Sequence, residues 1–253
     1  MLSKTVDKIA VVDDGALIPE IQCDLMVRLD RNYGKAEAVR RGLKEILKTG
    51  DVDYIIQSDA DLDQNPNDAH LFVEYLRNNN ISGDIPTLVI GDRYPKNLDS
   101  QLEYRRKILG VFEMAGRIFK VRIRDIVSGF RAYTRVLAES FVDIKSERYG
   151  IEMAQLVVAY LNNAKIDYVI LSWSRPRDPD TDKLKILQNI ESISLYMPEL
   201  KKRGGTAGVF VRIFSIWKAF EKRRMGKRSG VGSARTAKIM FGVLKFLNFF
   251  VRS

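Results

Sequence analysis

The sequence predicts an α/β domain with a mostly parallel β-sheet and helices on both of its faces. Short apolar runs alternate with longer segments of helical periodicity, and one apolar run ends at a group of acidic residues. Alternating strands and helices favour parallel pairing, because each return to the same edge of a sheet needs a crossover segment. A change of charge near residue 200 separates this domain from a basic C-terminal tail.

Five short runs have the length and composition of buried strands. They are rich in Val, Ile and Leu, and several end at Asp or Gly, which favour turns. The predicted strands are residues 8–12, 27–29, 53–56, 87–90 and 166–173.

Six longer segments are predicted to be helical. Their apolar residues recur mainly at intervals of three and four, which is the period of an amphipathic helix. The predicted helices are residues 34–47, 67–77, 102–121, 135–141, 150–161 and 183–201, with Pro198 expected to end the last of them.

The composition limits the kinds of site that the chain can form. Cys23 is the only cysteine, so an internal disulfide is impossible, which fits a reducing compartment. His70 is the only histidine, which excludes a His-rich zinc site and means that any Ser-His-Asp triad would have to use it. We expect no signal peptide, and no uninterrupted apolar run reaches the ~20 residues that span a bilayer.

The C-terminal tail carries the whole basic excess. Residues 201–253 contain 14 Lys and Arg against one acidic residue, whereas acidic residues slightly outnumber basic ones in residues 1–200. Lys238, Lys245 and Arg252 recur every seven residues and therefore share one face of a mostly apolar helix. This pattern favours a helix lying in an anionic membrane surface, and the alternative is a helix docked on the body or on a second subunit. We therefore predict a domain at residues 1–200 and a basic amphipathic helical tail at residues 201–253.

The segment DADLD at residues 59–63 is the strongest candidate site. Asp59, Asp61 and Asp63 stand at alternate positions just after a predicted strand. Hard divalent cations prefer oxygen ligands, and open α/β sheets bind ligands at the carboxyl ends of their strands. The segment therefore predicts a Mg²⁺ or Mn²⁺ site that also contacts substrate phosphates, and a solvated acidic turn is the alternative.

Six motifs in order resemble those of the family 2 glycosyltransferases with a GT-A fold, and within them the polyprenyl-phosphate sugar synthases. They are VDDG (residues 12–15), NYGKAEA (32–38), DADLD (59–63), GDRY (91–94), DIVSGFR (125–131) and GIE (150–152). The resemblance runs from about residue 9 to residue 184 and implies a Rossmann-like sheet. The family has a further strand ahead of VDDG, so we expect that first strand to be missing and its neighbours to have unpaired edges.

The resemblance also implies roles for individual residues. A metal held by the three aspartates would neutralise the diphosphate that leaves during transfer. Residues expected to bind the nucleotide sugar are Asp13, Asp14, Lys35, Asp59 and Arg93. Residues expected to act in catalysis are Asp125, Arg131 and Glu152. The two acids would orient the sugar or an arginine, or act as a base for a hydroxyl acceptor. The alternatives are a solvated helix lysine for Lys35, a surface salt bridge for Arg93 and a structural ion pair for Glu152.

The nature of the acceptor decides which further residues matter. A polyprenyl phosphate is already an anion near pH 7 and needs cationic positioning, for which the guanidinium fork is well suited. The candidates for this contact are Arg105, Arg106, Arg131, Arg175 and Lys183.

These observations predict an inverting, metal-dependent transfer of a hexose from a UDP- or GDP-hexose to a polyprenyl phosphate. The enzyme would be cytoplasmic and peripheral on the inner face of the membrane. One alternative is a family relative that glycosylates a soluble, protein-bound or glycan hydroxyl. Another is a non-catalytic basic protein that binds nucleic acid, although the tail phenylalanines lie on an apolar face rather than between the basic residues, so no nucleic-acid partner is expected.

Overall fold

The computed structural model describes residues 5–16, 18, 21–50, 52–61, 64–93, 125, 128–146, 148–172 and 192–204. The predicted helix at residues 102–121 and the tail beyond residue 204 lie outside the described residues, and the proposed division at residue 200 stays a prediction. The described strands are β1 Ala10–Asp13, β2 Leu25–Arg28, β3 Tyr54–Gln57, β4 Thr87–Asp92, β5 Arg131–Thr134 and β6 Lys165–Ile170. The helices are α1 Lys35–Lys48, α2 Ala69–Asn78, α3 Arg135–Phe141, α4 Ile151–Leu161 and α5 Met197–Arg203, with 3₁₀ turns at Pro66–Asp68 and Arg148–Gly150.

The described strands form two sheets. β1 and β2 pair in parallel, and the second sheet has the order β3-β5-β4-β6. β4 and β6 run parallel, whereas β5 runs antiparallel to both of its neighbours. Among the described strands β1 pairs with β2, and β3 pairs with β5.

The α/β class is confirmed, but the sheet is mixed rather than mostly parallel. The difference comes from β5, for which the sequence predicts no strand and which is antiparallel to both of its neighbours. Its four residues, RAYT, contain no apolar run like those of the equally short β1 and β3, and all four are buried because β5 lies between two other strands. Central position, rather than local periodicity, makes this segment a strand.

Helices cover both faces of the larger sheet, as predicted. On one face, Leu88, Ile90 and Tyr133 join a core built with α1, α3, α4 and α5. On the other face, the intervening residues Val89 and Ala132 pack with residues of α2. Because successive side chains of a strand point to opposite faces, the central strands β4 and β5 contribute to both cores.

The chain breaks its helical course near Pro198, as predicted, and then begins a second helix that was not predicted. Residues 192–195 are helical and Tyr196 is in a turn, so a helix ends just before Pro198, and Pro198 itself lies in the first turn of the next helix, α5. A proline is tolerated there because the first backbone N–H groups of a helix have no intrahelical acceptor. No helix in the described part of the chain is both long enough and apolar enough to cross a bilayer.

Candidate active site

Lys35, Asp59 and Glu152 form a three-residue ionic cluster, called here the Lys35 cluster. The Lys35 Nζ lies 2.5 Å from the Asp59 Oδ1 and 2.5 Å from the Glu152 Oε1. The lysine is the first residue of α1, the aspartate follows the end of β3 by two residues, and the glutamate lies in the first turn of α4. Three segments far apart in sequence therefore place one cation between two carboxylates.

The Lys35 cluster is shielded from solvent but not sealed. The side chains of Lys35 and Asp59 are 16% and 21% exposed, and that of Glu152 is 6% exposed. Burial by itself lowers the pKa of Lys35, but the attraction of Glu152 and Asp59 outweighs it, so the pKa is raised above its usual value of 10.5. The ammonium is therefore charged at neutral pH and neutralises carboxylate charge.

Backbone geometry directs Lys35 into the cluster. Gly34, the residue before α1, has φ +90°, which a side chain would disfavour. The Asp14 carboxylate accepts hydrogen bonds from the Tyr33 N–H at 2.8 Å and the Gly34 N–H at 2.9 Å. The VDDG segment after β1 therefore sets the start of α1, and through it the position of the lysine.

Gly129 forms a tight wall of the same site. A Cβ placed there would lie 2.5 Å from the Asp59 Oδ2 and 2.8 Å from the Lys35 Nζ. A glycine at this position lets the loop before β5 approach both charged groups closely. The SGF part of the DIVSGFR motif thus has a steric role that its composition alone does not reveal.

Arg131 lies beneath the cluster and is fully buried. Its Nε and Nη2 donate to the Ser128 carbonyl oxygen, and its Nη1 donates to the Glu152 carbonyl oxygen and to the Gln155 Oε1. Burial lowers the pKa of Arg131, against the opposing influence of nearby carboxylates headed by Glu152. These contacts make Arg131 a link between the loop before β5 and α4, and its contact with an acceptor phosphate stays a prediction.

Gln57 and Gln155 belong to this site, although the sequence reading missed them. The Gln57 Oε1 accepts hydrogen bonds from the Gln155 Nε2 at 2.9 Å and from the Tyr133 hydroxyl at 3.1 Å. Burial raises the pKa of the Tyr133 hydroxyl, which therefore acts as a neutral donor. Gln155 stands three residues after Glu152 in an otherwise apolar helix, so that spacing was a signal that both side chains share one face.

Arg93 and Asp125 form a separate, closed ion pair. The Arg93 Nε and Nη2 donate to the two carboxylate oxygens of Asp125 at 2.6 and 2.8 Å, and the Arg93 N–H donates to the Oδ2 at 3.2 Å. The two side chains are 7% and 0% exposed, so the surface salt bridge considered for Arg93 is wrong. The pair joins the residue after β4 to the segment that leads to β5.

Asp13 and Asp14 at the end of β1 organise backbone. The Asp13 carboxylate accepts hydrogen bonds from the N–H groups of Ala16 and Ile18 at 2.8 and 3.2 Å, and Asp13 is buried. Gly15 between these contacts has φ +74° and lies against the backbone of Arg31, where a Cβ would clash. These contacts shape the loop at the strand end, and binding of a nucleotide by these aspartates stays a prediction.

The described residues fit a divalent cation that uses few protein ligands. Asp59 is half-buried and Asp61 is exposed, while Asp63 lies outside the described residues. In the described ranges no group of three or more Asp, Glu, His or Cys residues is arranged to hold a metal ion. Mg²⁺ is usually bound by one or two carboxylates together with substrate phosphates. Asp59 could supply one such carboxylate, and a metal bound there would compete with the Lys35 ammonium, which lies 2.5 Å from the Asp59 Oδ1.

Arg105, Arg106, Arg175 and Lys183 lie outside the described residues. Ten predicted site residues remain, including Asp61 and Asp63 of the DADLD segment. The structure brings Lys35, Asp59, Glu152 and Arg131 together and pairs Arg93 with Asp125 nearby. Asp13 and Asp14 join this region through the start of α1.

Comparison with known proteins identifies the fold. Neither a protein-family model nor a curated protein matches the sequence. The structure is similar to that of glucosyl-3-phosphoglycerate synthase from Mycobacterium tuberculosis in complex with Mn²⁺, UDP and glucosyl-3-phosphoglycerate, at 20% identity and a TM-score of 0.50, over 74% of this chain and 68% of that chain. Mannosyl-3-phosphoglycerate synthase from Rubrobacter xylanophilus gives 15% identity and a TM-score of 0.48, over 67% of this chain and 53% of that chain.

The chain thus spans about half the length of the Rubrobacter enzyme. The similarity concerns the fold, so the polyprenyl-phosphate subgroup predicted from the motifs stays a prediction. The mixed sheet, with helices on both faces and charged residues gathered beyond the strand ends, is the α/β fold of the GT-A glycosyltransferases.

Proposed function

We propose that this protein is a metal-dependent glycosyltransferase that moves a hexose from a nucleoside diphosphate sugar to an acceptor hydroxyl. The observation that carries the proposal is the Lys35 cluster, with its D-x-D aspartate beside a buried cation, at the strand ends of a GT-A fold. The reaction releases a diphosphate, whose developing negative charge must be stabilised in the transition state.

Each part of the site has a task in this scheme. Asp59, with Asp61 and Asp63, would hold Mg²⁺ or Mn²⁺, which supplies Lewis-acid stabilisation of the departing diphosphate when bound. Lys35 adds positive charge at the same place, and Glu152 holds its ammonium by the contact at 2.5 Å. Gly129 allows these groups to approach each other closely. Asp13 and Asp14 would shape the nucleotide pocket from the loop after β1.

Glu152 and Asp125 are positioning residues here rather than bases. Glu152 accepts a hydrogen bond from Lys35, and both oxygens of Asp125 accept from Arg93. A general base has to reach the proton that it removes. A carboxylate engaged with a neighbouring cation serves better to hold that cation in place.

The acceptor is proposed as a small hydroxyl compound bearing a negative charge. This choice is supported by the Mycobacterium tuberculosis structure, whose product is glucosyl-3-phosphoglycerate. A second candidate is a polyprenyl phosphate, which the strongly basic C-terminal tail favours, because basic residues are attracted to anionic lipid surfaces.

A transfer assay with the full-length chain tests the proposal. UDP- and GDP-hexoses labelled in the sugar are incubated with Mn²⁺ and either 3-phosphoglycerate or a polyprenyl phosphate in anionic vesicles, and the label is followed in the aqueous and lipid phases. Label on the soluble acceptor supports the main proposal, and label in lipid supports the second. Asp59→Asn serves as the inactive control. No transfer to either acceptor, with no melting-temperature rise on adding any donor and Mn²⁺, would contradict both.

A further inference from the structure

The Lys35 cluster has one cation and two carboxylates, and the neighbouring guanidinium of Arg131 balances its charge before any ligand binds. The ammonium of Lys35 and the guanidinium of Arg131 stand against the carboxylates of Asp59 and Glu152. All four side chains are at most 21% exposed. Charges withdrawn from water are stable only when they are paired, so the balance matters here more than it would on the surface.

We infer that Lys35 is a resident counter-ion that makes divalent cation binding at Asp59 depend on the diphosphate of the donor. The inference rests on the proposed function and assigns a regulatory contact within it. A cation that approaches Asp59 meets a carboxylate whose Oδ1 already lies 2.5 Å from an ammonium. Metal alone must displace that ammonium and add two positive charges to a balanced, poorly hydrated site.

Arrival of a diphosphate changes this balance. Its negative charge cancels the charge of the metal and offers the Lys35 ammonium a second anionic partner. Lysine suits such an exchange because its ammonium is a compact point charge on a flexible stem, unlike the planar fork of arginine. The tether at Glu152, whose Oε1 lies 2.5 Å from the Nζ, keeps the ammonium at the site while Asp59 changes partner. Metal and donor should therefore bind cooperatively, and the coupling should be reciprocal.

Mn²⁺ binding to the full-length chain, followed by electron paramagnetic resonance of the free ion, tests this inference with and without UDP. In the wild type, UDP should tighten Mn²⁺ binding about tenfold or more, within the usual range of site-to-site coupling. In Lys35→Met, Mn²⁺ alone should bind about tenfold tighter than to the wild type, and the effect of UDP should fall below about threefold. Lys35→Arg keeps the charge and should retain weak binding of Mn²⁺ alone.

Lys44→Met is the matched control, because Lys44 is an exposed residue of the same helix. It removes the same charge from the chain and should change Mn²⁺ affinity by less than about twofold, since exposed charges are screened by salt. Circular dichroism and melting curves verify that each variant is folded. If Lys35→Met does not fold, Glu152→Gln provides a second test, in which the affinity for Mn²⁺ should change in the opposite direction. Without the Glu152 carboxylate, the Lys35 ammonium has only Asp59 as a carboxylate partner in the cluster and should bind it more strongly. Mn²⁺ alone should then bind more weakly than to the wild type.

The outcomes separate the two proposals. Wild-type protein that binds neither Mn²⁺ nor UDP would overturn the proposed function and this inference together. Wild-type protein that shows the coupling, with Lys35→Met binding Mn²⁺ no tighter than Lys44→Met does, would overturn the role of Lys35 alone. With Glu152→Gln as the readout, unchanged or tighter binding of Mn²⁺ alone would overturn it as well.

Discussion

The Arg93–Asp125 pair and the Lys35 cluster are both shielded ion pairs, but they differ in how their charges are used. Asp125 is fully buried, and both of its oxygens accept hydrogen bonds from one guanidinium. Lys35 is instead shared between two carboxylates from different elements, one of which is 21% exposed. The Arg93–Asp125 pair is closed to solvent at its carboxylate, whereas the Lys35 cluster is open to solvent on the side of Asp59.

The difference follows from the chemistry of the two cations. A guanidinium fork matches the two oxygens of a carboxylate, so a bidentate pair leaves little capacity for another partner. An ammonium is a point charge with three donors that can turn toward whichever anions are near. The Arg93–Asp125 pair is therefore suited to fixing the backbone, and the Lys35 cluster to exchanging partners when a ligand arrives.

Breaking the closed pair should have the largest effect on stability. In Asp125→Leu, Arg93 keeps its charge in a site where only 7% of its side chain is exposed. Removing one partner of a buried ion pair typically costs about 3–5 kcal/mol of unfolding free energy. Urea unfolding of the full chain, followed by circular dichroism, measures this loss.

The double variant Arg93→Met with Asp125→Leu is the control for that experiment. It removes both charges, and replacing a buried pair by apolar side chains of similar volume is often nearly neutral. Most of the stability should therefore return. A single variant that loses less than about 1 kcal/mol would mean that the pair behaves like an exposed salt bridge.

Asp59→Asn should affect activity far more than stability. The variant loses a proposed metal ligand, so hexosyl transfer should fall at least about 100-fold, which corresponds to about 2.7 kcal/mol in the activation barrier. Glu152 still pairs with Lys35, so the unfolding free energy should change by about 1 kcal/mol or less. Steady-state kinetics and urea unfolding are compared on the same preparation.

The matched control is Asp84→Asn, an exposed aspartate beside Gly83, which packs on Asp53 just before β3 begins. It should leave both turnover and stability near the wild-type values. If Asp59→Asn retained full turnover, the Lys35 cluster would be another structural ion pair and the contrast with Arg93–Asp125 would disappear.

Gly129→Ala should have an intermediate effect. The new Cβ would approach the Asp59 Oδ2 to 2.5 Å and the Lys35 Nζ to 2.8 Å, so both charged groups must shift. We expect turnover to fall about tenfold, or about 1.4 kcal/mol in the barrier, with the fold retained. Kinetics at saturating Mn²⁺ measure this change. Unchanged turnover would show that hexosyl transfer does not depend on the exact positions of Asp59 and Lys35 next to Gly129.

Substitution of Glu37 should have the smallest effect of these variants, because its ion pairs with Arg40 and Arg41 lie on the surface of α1. Hydrogen bonds from Arg41 and then Arg40 lower the pKa of the Glu37 carboxyl below its usual value of 4.5. Its contribution to stability is therefore present above pH 4.5 and is lost as the pH falls through the lowered pKa of the folded state. The wild type should exceed Glu37→Gln in unfolding free energy by about 0.5 kcal/mol at pH 7.

Urea unfolding of both proteins from pH 7 to pH 2 provides the test. The difference should shrink on acidification and disappear once Glu37 is protonated in the folded protein. A difference that does not depend on pH would show that packing of the side chain, rather than its charge, stabilises the helix.

How well a helix or strand could be predicted depended on how clear its pattern of apolar residues is. Helix α1 begins and ends within one residue of its prediction, because its 14 residues repeat an amphipathic pattern over several turns. Strand β5 is as short as β1 and β3, but its sequence RAYT lacks the apolar run that those strands have, so the sequence does not identify it. Near Pro198 the sequence predicts the end of a helix, which the turn at Tyr196 provides, but it does not predict that α5 begins there, with the proline tolerated in its first turn.

The amino-acid sequence by itself determined the fold class, the order of the motifs and the identity of the charged residues near the site. Local periodicity and short motifs carry that information, because they depend on neighbours along the chain. Only the tertiary structure decided that Lys35 lies between Asp59 and Glu152, that Arg93 is closed on Asp125, and that Gln57 joins Gln155. Those partners are separated by 24 to 117 residues along the chain, and their pairing is set by where strands and helices end in space.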